Sequence, residues 1–466
     1  LNKKFKSLSK NTLIFGVSSF GTKALSFLLV PLYTSILTTT DYGIADLITT
    51  TSMLLIFVLT INISSSVLRF TLEKKDLGEN ILSYGFRIVM ISTIICTIIM
   101  IMLYISDLFS WPSYYFGFVV LYFFSNALYE LMTNYLRALD KITEVAVTGI
   151  LSTAIIIISN VIFLLFLRLG IIGYLLSMVL GPFCSSIVCM LYAKAPLVTY
   201  LKVDCPRFIR KQMIIYCIPL IFNNIALWIN AFMDRYFVTY YCGASSNGIY
   251  SVASKIPTIL STFYSIFSSA WTLSAIVEFD PEDKDGFFSQ TYKIYAAMMS
   301  IVCSVIILFN IPLANFLYAK DFFIAWKYSS VLLLSVLFNT LTVFQGSIFS
   351  AAKRTGIVAN TTLISASINL ILNILFIPKY GILGAAVSTA FSYFCMWIIR
   401  YFYLKNIISM KVNLIRDFIT YILLCIQIVF EHTKNHSYIG QIICLIVIIS
   451  IYSKNFLFFC KKIVMR

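Results

Sequence analysis

Charge is what this chain of 466 residues has least of. Asp, Glu, Lys and Arg make up 12% of it, against 60% hydrophobic and 16% aromatic residues. A soluble core cannot hide that much apolar surface, whereas a bilayer can. Acids are the scarcer charge, 19 against 35 Lys and Arg, and only Asp46, Glu130 and Asp234 fall inside apolar segments clear of their terminal residues. No pair of carboxylates stands on an exposed loop in the way glycosyl transfer would use. The acidic stretch EFDPEDKDG (278–286) lacks the spacing of a calcium-binding loop and reads as a solvated turn. Histidine occurs twice, His432 and His436, in EHTKNH. That spacing suits a metal on a helix, but no third ligand accompanies it, so both read as polar loop residues and no metal is expected. The eleven cysteines are odd in number and include no C-x-x-C, which marks them as small buried hydrophobes. There is no Gly-x-x-x-x-Gly-Lys followed by Ser or Thr, the loop that would cradle ATP.

Long apolar runs are what the chain does have. Fourteen are long enough to span: about 13–37, 44–66, 84–106, 113–134, 144–167, 170–193, 213–239, 249–277, 292–317, 328–349, 357–377, 381–404, 417–431 and 438–459. The fold class expected is an all-α integral membrane protein with about 14 transmembrane helices. A net charge of +16 could suggest nucleic acid, so its placement matters. With the N-terminus inside, 27 of the Lys and Arg residues fall in cytoplasmic stretches. Six lie at the outer face (Arg168, Arg235, Lys320, Lys327, Lys379, Lys434), and Lys23 and Lys255 lie within spans. This asymmetry follows the positive-inside rule and predicts two cytoplasmic termini. The basic excess is topological, and no nucleic-acid partner is expected. The first apolar run is too long for a cleavable signal and lacks a small-residue cleavage site, so a retained anchor is expected.

The segments repeat. DYGIADLITTTSML, opening segment two, pairs with SNGIYSVASKIPTI, opening segment eight. LLFLRLGIIGYLLS, across segments five and six, pairs with ILFIPKYGILGAAVS, across eleven and twelve; Arg168, Gly170 and Gly173 match Lys379, Gly381 and Gly384. The organisation expected is a six-helix lobe at 1–193, a cytoplasmic linker at 194–211, a second six-helix lobe at 212–404, and two additional transmembrane helices at 405–466. Parallel six-span repeats form a transporter architecture, with a substrate site expected between them. The last two spans lie outside the duplication and read as an appendage.

Polar residues within spans point to that site. In segment eight, Ser251, Lys255, Thr258, Thr262, Ser265 and Ser269 recur at helical spacing and would form one stripe. Segment seven supplies Asn223, Asn230 and Asp234, with Arg235 adjoining. Segment one supplies Gly16, Ser19, Lys23 and Ser26, and segment two a weaker set beginning at Asp46. Each Ser or Thr alone is explained by helix packing. The lysines are not, because a charge at mid-span costs ~2.5–3.5 kcal/mol on insertion scales. Asp46, Asp234, Arg235 and Lys255 share the outer half and are able to pair. Lys23 lies ~20 Å along the helix from the basic N-terminus, too far to snorkel, with no carboxylate at its level. A structural pair with Asp46 or Glu130 is the rival reading for it. The candidate cavity residues are therefore Lys23, Lys255, Asn223, Asn230, Asp234, Arg235, Asp46, Thr258 and Thr262. Lysines without many carboxylates suit an anionic substrate, each charge pair contributing ~4 kcal/mol at ~4 Å and an effective dielectric near 20 before desolvation.

Over about residues 8–404 the chain resembles bacterial polysaccharide flippases of the Wzx type, in the superfamily of multidrug, oligosaccharidyl-lipid and polysaccharide exporters. The resemblance rests on the hydropathy layout and on DYGIADL, MDRYFVTYY followed by GIYSVASKIP, and the RALDK and SAAKR turns after segments four and ten. It implies two six-helix lobes and a cavity opening alternately to each side. The implied cargo is an undecaprenyl-(pyro)phosphate-linked oligosaccharide, flipped outward across the bacterial cytoplasmic membrane for O-antigen, capsule or related surface polysaccharide. It further implies that Lys23 and Lys255, on the first and eighth helices, line the cavity, and that the last two spans belong to a lipid-tail groove. No enzyme activity and no cofactor are expected, with coupling to an H+ or Na+ gradient left open. The partners expected are lipid-linked oligosaccharide, membrane lipid, and polysaccharide polymerase and chain-length proteins. A cation-coupled drug or metabolite exporter and a membrane-embedded glycan polymerase remain the alternatives.

Overall fold

The computed structural model describes residues 27–106, 111–194, 204–433 and 436–464, with side chains of the last helix described as far as Tyr452. Among these residues there are helices and turns and no strand. In chain order the helices are α1 Val30–Ile36, α2 Thr39–Leu59, α3 Ile63–Glu73, α4 Gly78–Ile105, α5 Ser113–Ala138, α6 Ile142–Asn160, α7 Gly170–Ala193, α8 Arg207–Cys242, α9 Ala244–Ala253 and α10 Pro257–Val277. Then follow α11 Phe287–Leu308, α12 Asn310–Leu317, α13 Trp326–Ala351, α14 Thr355–Tyr380, α15 Ile382–Lys405, α16 Leu414–Glu431 and α17 Tyr438–Val464. Ten of the described helices are long and apolar enough to cross a membrane. The other four apolar segments of the sequence coincide with α1, α9–α10, α16 and α17. The all-α, multi-pass fold expected from hydropathy is borne out. The N-terminal part of segment one, with Gly16, Ser19, Lys23 and Ser26, lies outside the described residues, as does 195–203 of the linker at 194–211.

Three spans that read as continuous are broken. Segment two ends α2 at Thr60 and resumes as α3 after Ile61 and Asn62, both at positive φ (55° and 53°). Asparagine visits that region readily, a β-branched residue rarely. Segment eight is interrupted between Ala253 and Pro257; proline, with no N–H to give, takes the first position of α10. Segment nine breaks at Phe309, between α11 and α12. Starts are better signalled. Thr38 caps α2 by accepting from the Asp41 N–H at 3.1 Å, and Asp41 reaches back to the Thr38 N–H, a reciprocal box at a helix N-terminus.

By packing, the chain divides into two compact units, Leu1–Phe232 and Met233–Arg466, the division falling inside α8. Each is assembled alike. In the first, α7 packs on α5 and α6; in the second, α15 packs on α13 and α14. The repeated glycines show why. Gly170 and Gly381 both end a turn at positive φ, 56° and 57°. Three residues on, a Cβ on Gly173 would come within 2.8 Å of the Phe163 Cβ, and one on Gly384 within 2.6 Å of the Phe376 carbonyl oxygen. Both glycines let the last helix of the repeat close on the one before it, as small residues do inside membranes.

The C-terminal pair is docked, not appended. α16 and α17 pack on α11, and one face of α16 carries three buried polar contacts. Tyr292 donates to Asp417 at 3.0 Å, Gln427 exchanges two bonds with Ser304 at 2.7 and 2.9 Å, and Asn310 donates to Glu431 at 2.6 Å. Arg416 closes on Asp417 at 2.7 Å.

Candidate functional site

Asp234 is 1% exposed, in the C-terminal half of α8. Three neutral side chains from three other helices converge on it. Tyr250 of α9 and Thr389 of α15 each donate to Oδ2 at 2.6 Å, and Asn373 of α14 donates to Oδ1 at 3.3 Å. A second layer joins them: Asn373 donates to Asn369 at 3.0 Å, and Asn369 to Thr389 at 3.3 Å. The Asn373 Oδ1 is buried and accepts no hydrogen bond. These helices are the first, second, fifth and sixth of the second repeat, so duplicated segments bring the cluster together. Pairing of Asp234 with Arg235 or Lys255, which the sequence allowed, is not made; its partners are uncharged. A carboxylate held so has its negative charge stabilised only by dipoles, and a spare acceptor oxygen stands beside it. That is oxygen chemistry suited to a proton or a small hard cation.

The remaining candidates are spread over both units. Asp46 is half-buried on α2, and Asn223 and Asn230 lie on the part of α8 that belongs to the first unit, Asn223 half-buried and Asn230 buried with its amide on the Ala226 carbonyl at 3.2 Å. In the second unit Arg235 is half-buried, and Lys255 is half-buried at the break before α10. Thr258 is exposed, Thr262 is 9% exposed, and Ile256 and Leu260 are fully buried. The proline break divides the expected stripe, leaving Ser251 on α9 and the threonines on α10. The hydroxyls of Thr258, Thr262 and Ser265 each bond a backbone carbonyl three or four residues earlier, as such side chains do when they serve packing. Glu130, half-buried on α5, accepts from Ser64 at 2.8 Å.

Sequence reasoning missed Tyr250, Asn369, Asn373 and Thr389. The i, i+4 asparagines in the apolar run INLILNILF were the available signal. It missed Arg400 too, which is 3% exposed on α15 and donates to the carbonyls of Thr342 and Val358 and the hydroxyls of Thr361 and Thr362 at 2.7–3.2 Å. Its acceptors, on α13 and α14, are all neutral. The acidic turn at 278–286 is structural. Asp283 accepts from the N–H groups of Phe288 and Ser289 at 2.9 and 3.0 Å, capping α11. The Glu282 and Lys284 N–H groups hold the Asp280 carboxyl below the usual carboxylate range. Among the described residues no cluster of His, Cys, Asp and Glu could hold a metal ion.

A buried charge set among neutral dipoles, inside a repeated bundle of spanning helices, defines the chain as a multi-pass membrane protein of transporter fold. Comparison narrows this. Residues 8–273 match the family described as polysaccharide biosynthesis protein, and the chain belongs to that family. A Haloferax volcanii protein named "Probable low-salt glycan biosynthesis flippase Agl15" is 31% identical over 106 residues, 23% of this chain and 22% of that one. The capsular polysaccharide biosynthesis protein CapF of Staphylococcus aureus is 26% identical over 200 residues, 42% of this chain and 50% of that one. The chain thus aligns with half or less of these relatives' length. Among solved structures, the lipid II flippase MurJ in an inward closed conformation superposes with a TM-score of 0.70 at 17% identity, covering 97% of this chain and all of that one. At that identity the likeness establishes the fold. The flippase resemblance drawn from the sequence stands.

Proposed function

We propose that this protein flips an undecaprenyl-(pyro)phosphate-linked oligosaccharide from the cytoplasmic to the outer leaflet for surface polysaccharide synthesis. Movement is by alternating access through a cationic cavity and is driven by a cation gradient. The observation that carries the coupled mechanism is Asp234, a carboxylate kept among four helices whose hydrogen-bond partners among the described residues are all neutral. A scaffold would be more stable without it, since a charge inside a span is unfavourable, by ~2.5–3.5 kcal/mol at a helix centre and by less towards its ends. A transporter needs a group whose charge changes as the ion binds and leaves. The Asp234 carboxylate, the Thr389 hydroxyl and the spare Asn373 oxygen would receive H+ or Na+, and Lys23 and Lys255 would meet the phosphate of the cargo. Family membership supports the glycan-lipid cargo. Both termini are read as cytoplasmic and the membrane as the bacterial inner membrane, with polymerase and chain-length proteins as partners in the same route.

The test is the purified protein in liposomes carrying a fluorescent lipid-linked glycan, under imposed H+ or Na+ gradients. Gradient-stimulated movement of the glycan lipid to the far leaflet is the expected result. Extension of the glycan would establish the polymerase reading. Transport of cationic dyes without lipid movement would establish the exporter reading.

A further inference from the structure

The proposed function leaves a cavity of the second unit unused. Its volume is about 660 Å³, within the ~300–1,000 Å³ of ligand sites. Three pieces of chain wall it: the turn 278–286 between α10 and α11, the strap 406–413 between α15 and α16, and the first two turns of α11. On the topology proposed above, this end of the unit faces the cytoplasm.

The walls are tied to one another. The Ser409 N–H donates to the Pro281 carbonyl at 2.9 Å, and the Lys411 N–H to the Ser289 hydroxyl at 2.8 Å. That hydroxyl donates in turn to Asp283, the cap of α11. Strap and turn, more than 120 residues apart, thus share one hydrogen-bonded rim.

The lining charges decide what the cavity would hold. Glu282 pairs with Lys284 at 2.9 Å, and the Asp283 oxygens are taken up by N–H and O–H groups. Among the described residues Lys293, Lys411 and Asp285 make no ion pair. Lys293 is half-buried in the second turn of α11. Helical side chains lean toward their own N-terminus, which carries its ammonium toward the turn. Gln290, three residues earlier, shares that face. Lys411 and Ser409 approach from the exposed strap. Asp285 opposes an anion, but it too is exposed, where water and salt screen it most. Ammonium, amide and hydroxyl donors around a polar cavity are what phosphate oxygens accept from. Basic pockets between spanning helices on the cytoplasmic side take lipid head groups in the same way.

We propose that this cavity binds a phosphate group, with Lys293 and Lys411 supplying charge and Gln290 and Ser409 supplying hydrogen bonds. The phosphate has two sources, the head group of an anionic phospholipid and a free phosphate from solution. Held there, it joins α11 to the strap that leads into α16. Neither the cargo nor flipping enters into this binding.

Full-length protein, delipidated in dodecyl maltoside, gives the cavity no phosphate of its own. Acylation by acetic anhydride, read by peptide mass spectrometry, reports rates at Lys293 and Lys411 beside those at Lys353 and Lys405, exposed lysines of the same unit. The probes are inorganic phosphate, against chloride of equal ionic strength, and phosphatidylglycerol, against diacylglycerol. Lys293 and Lys411 are expected to slow together, by about tenfold with a probe at about ten times its Kd, since protection scales as 1 + [L]/Kd. Lys353 and Lys405 should keep their rates. Slowing by phosphatidylglycerol alone assigns a lipid head group; slowing by inorganic phosphate assigns a soluble ligand. In Lys293→Gln the protection of Lys411 should disappear. No slowing with either probe, equal slowing of all four lysines, or a Lys411 still protected in Lys293→Gln would overturn the proposal. Should that variant fail to fold, the comparison of the four lysines in the parent protein decides it.

Discussion

Replacing Asp234 by asparagine removes one charge and keeps the shape, and the structure sets what that should cost. Tyr250 and Thr389 both donate to Oδ2, so an asparagine with its carbonyl there keeps both bonds. Its amide nitrogen then faces the Asn373 Nδ2. Turning the Asn373 amide presents the unpartnered Oδ1 to it, at the expense of the bond to Asn369. The loss is one neutral hydrogen bond, about 1 kcal/mol, and two charge-assisted bonds each weakened by about 1 kcal/mol. Against this stands relief of about 2–3 kcal/mol for a charge no longer held in the outer half of the span, somewhat below the ~2.5–3.5 kcal/mol of a helix centre. The terms nearly cancel, so Asp234→Asn should unfold within about 1 kcal/mol of the parent, read by tryptophan fluorescence during denaturation in detergent. Gradient-driven flipping in liposomes should fall by at least about tenfold, the loss of ~1.4 kcal/mol or more of coupling, while slow gradient-independent movement persists. Two results would refute the reasoning. A fall in stability of more than about 3 kcal/mol, the scale of a broken buried charge network, would make Asp234 structural. An unchanged response to the gradient would remove it from coupling.

Single cysteines in a background without native ones should react with water-soluble thiol reagents fast at Thr258, more slowly at Thr262, and hardly at Ile256 or Leu260; equal rates at Thr258 and Leu260 would put α10 in a different orientation. Arg400→Lys keeps the charge but loses the planar fork that reaches two helices, so it should lower stability by about 2–4 kcal/mol in the same denaturation assay. Reporters fused after Ser246 and after Asp283 should read outside and cytoplasm respectively, and an external signal at Asp283 would break the fourteen-span topology. Lys23→Gln should leave normal protein levels with little flipping if the lysine meets phosphate, whereas low levels restored by removing Asp46 or Glu130 as well would show a structural pair.

Hydropathy alone located the spans, because a bilayer penalises every residue in a window at once and the signal adds up over twenty positions. The repeat was legible for a related reason: Gly170 and Gly381 serve backbone geometry, which duplication preserves even as side chains drift. The breaks were less visible. Pro257 was on the page as a helix start, but a stripe at 3.6-residue spacing runs through it unaltered on paper. The Asp234 cluster was half legible. A carboxylate inside a span stands out by its rarity, while Tyr250, Asn373 and Thr389 look like ordinary polar spacers until four helices, up to 155 residues apart in sequence, bring them to one oxygen pair. The C-terminal pair was misjudged because duplication was the only guide to it, and Asp417, Gln427 and Glu431 show their purpose only against α11 and α12.

Those three rungs bear on how the chain is made. α16 carries one amide, Gln427, inside the span and a carboxylate near each end, Asp417 and Glu431, all on one face, and the amide is the group furthest from either interface. As an independent helix in the bilayer it would leave that face unpartnered. Tyr292, Ser304 and Asn310, inserted earlier, are the partners that make its entry affordable. Assembly is therefore expected to be ordered, with the ninth span in place and its polar face still open when the thirteenth arrives.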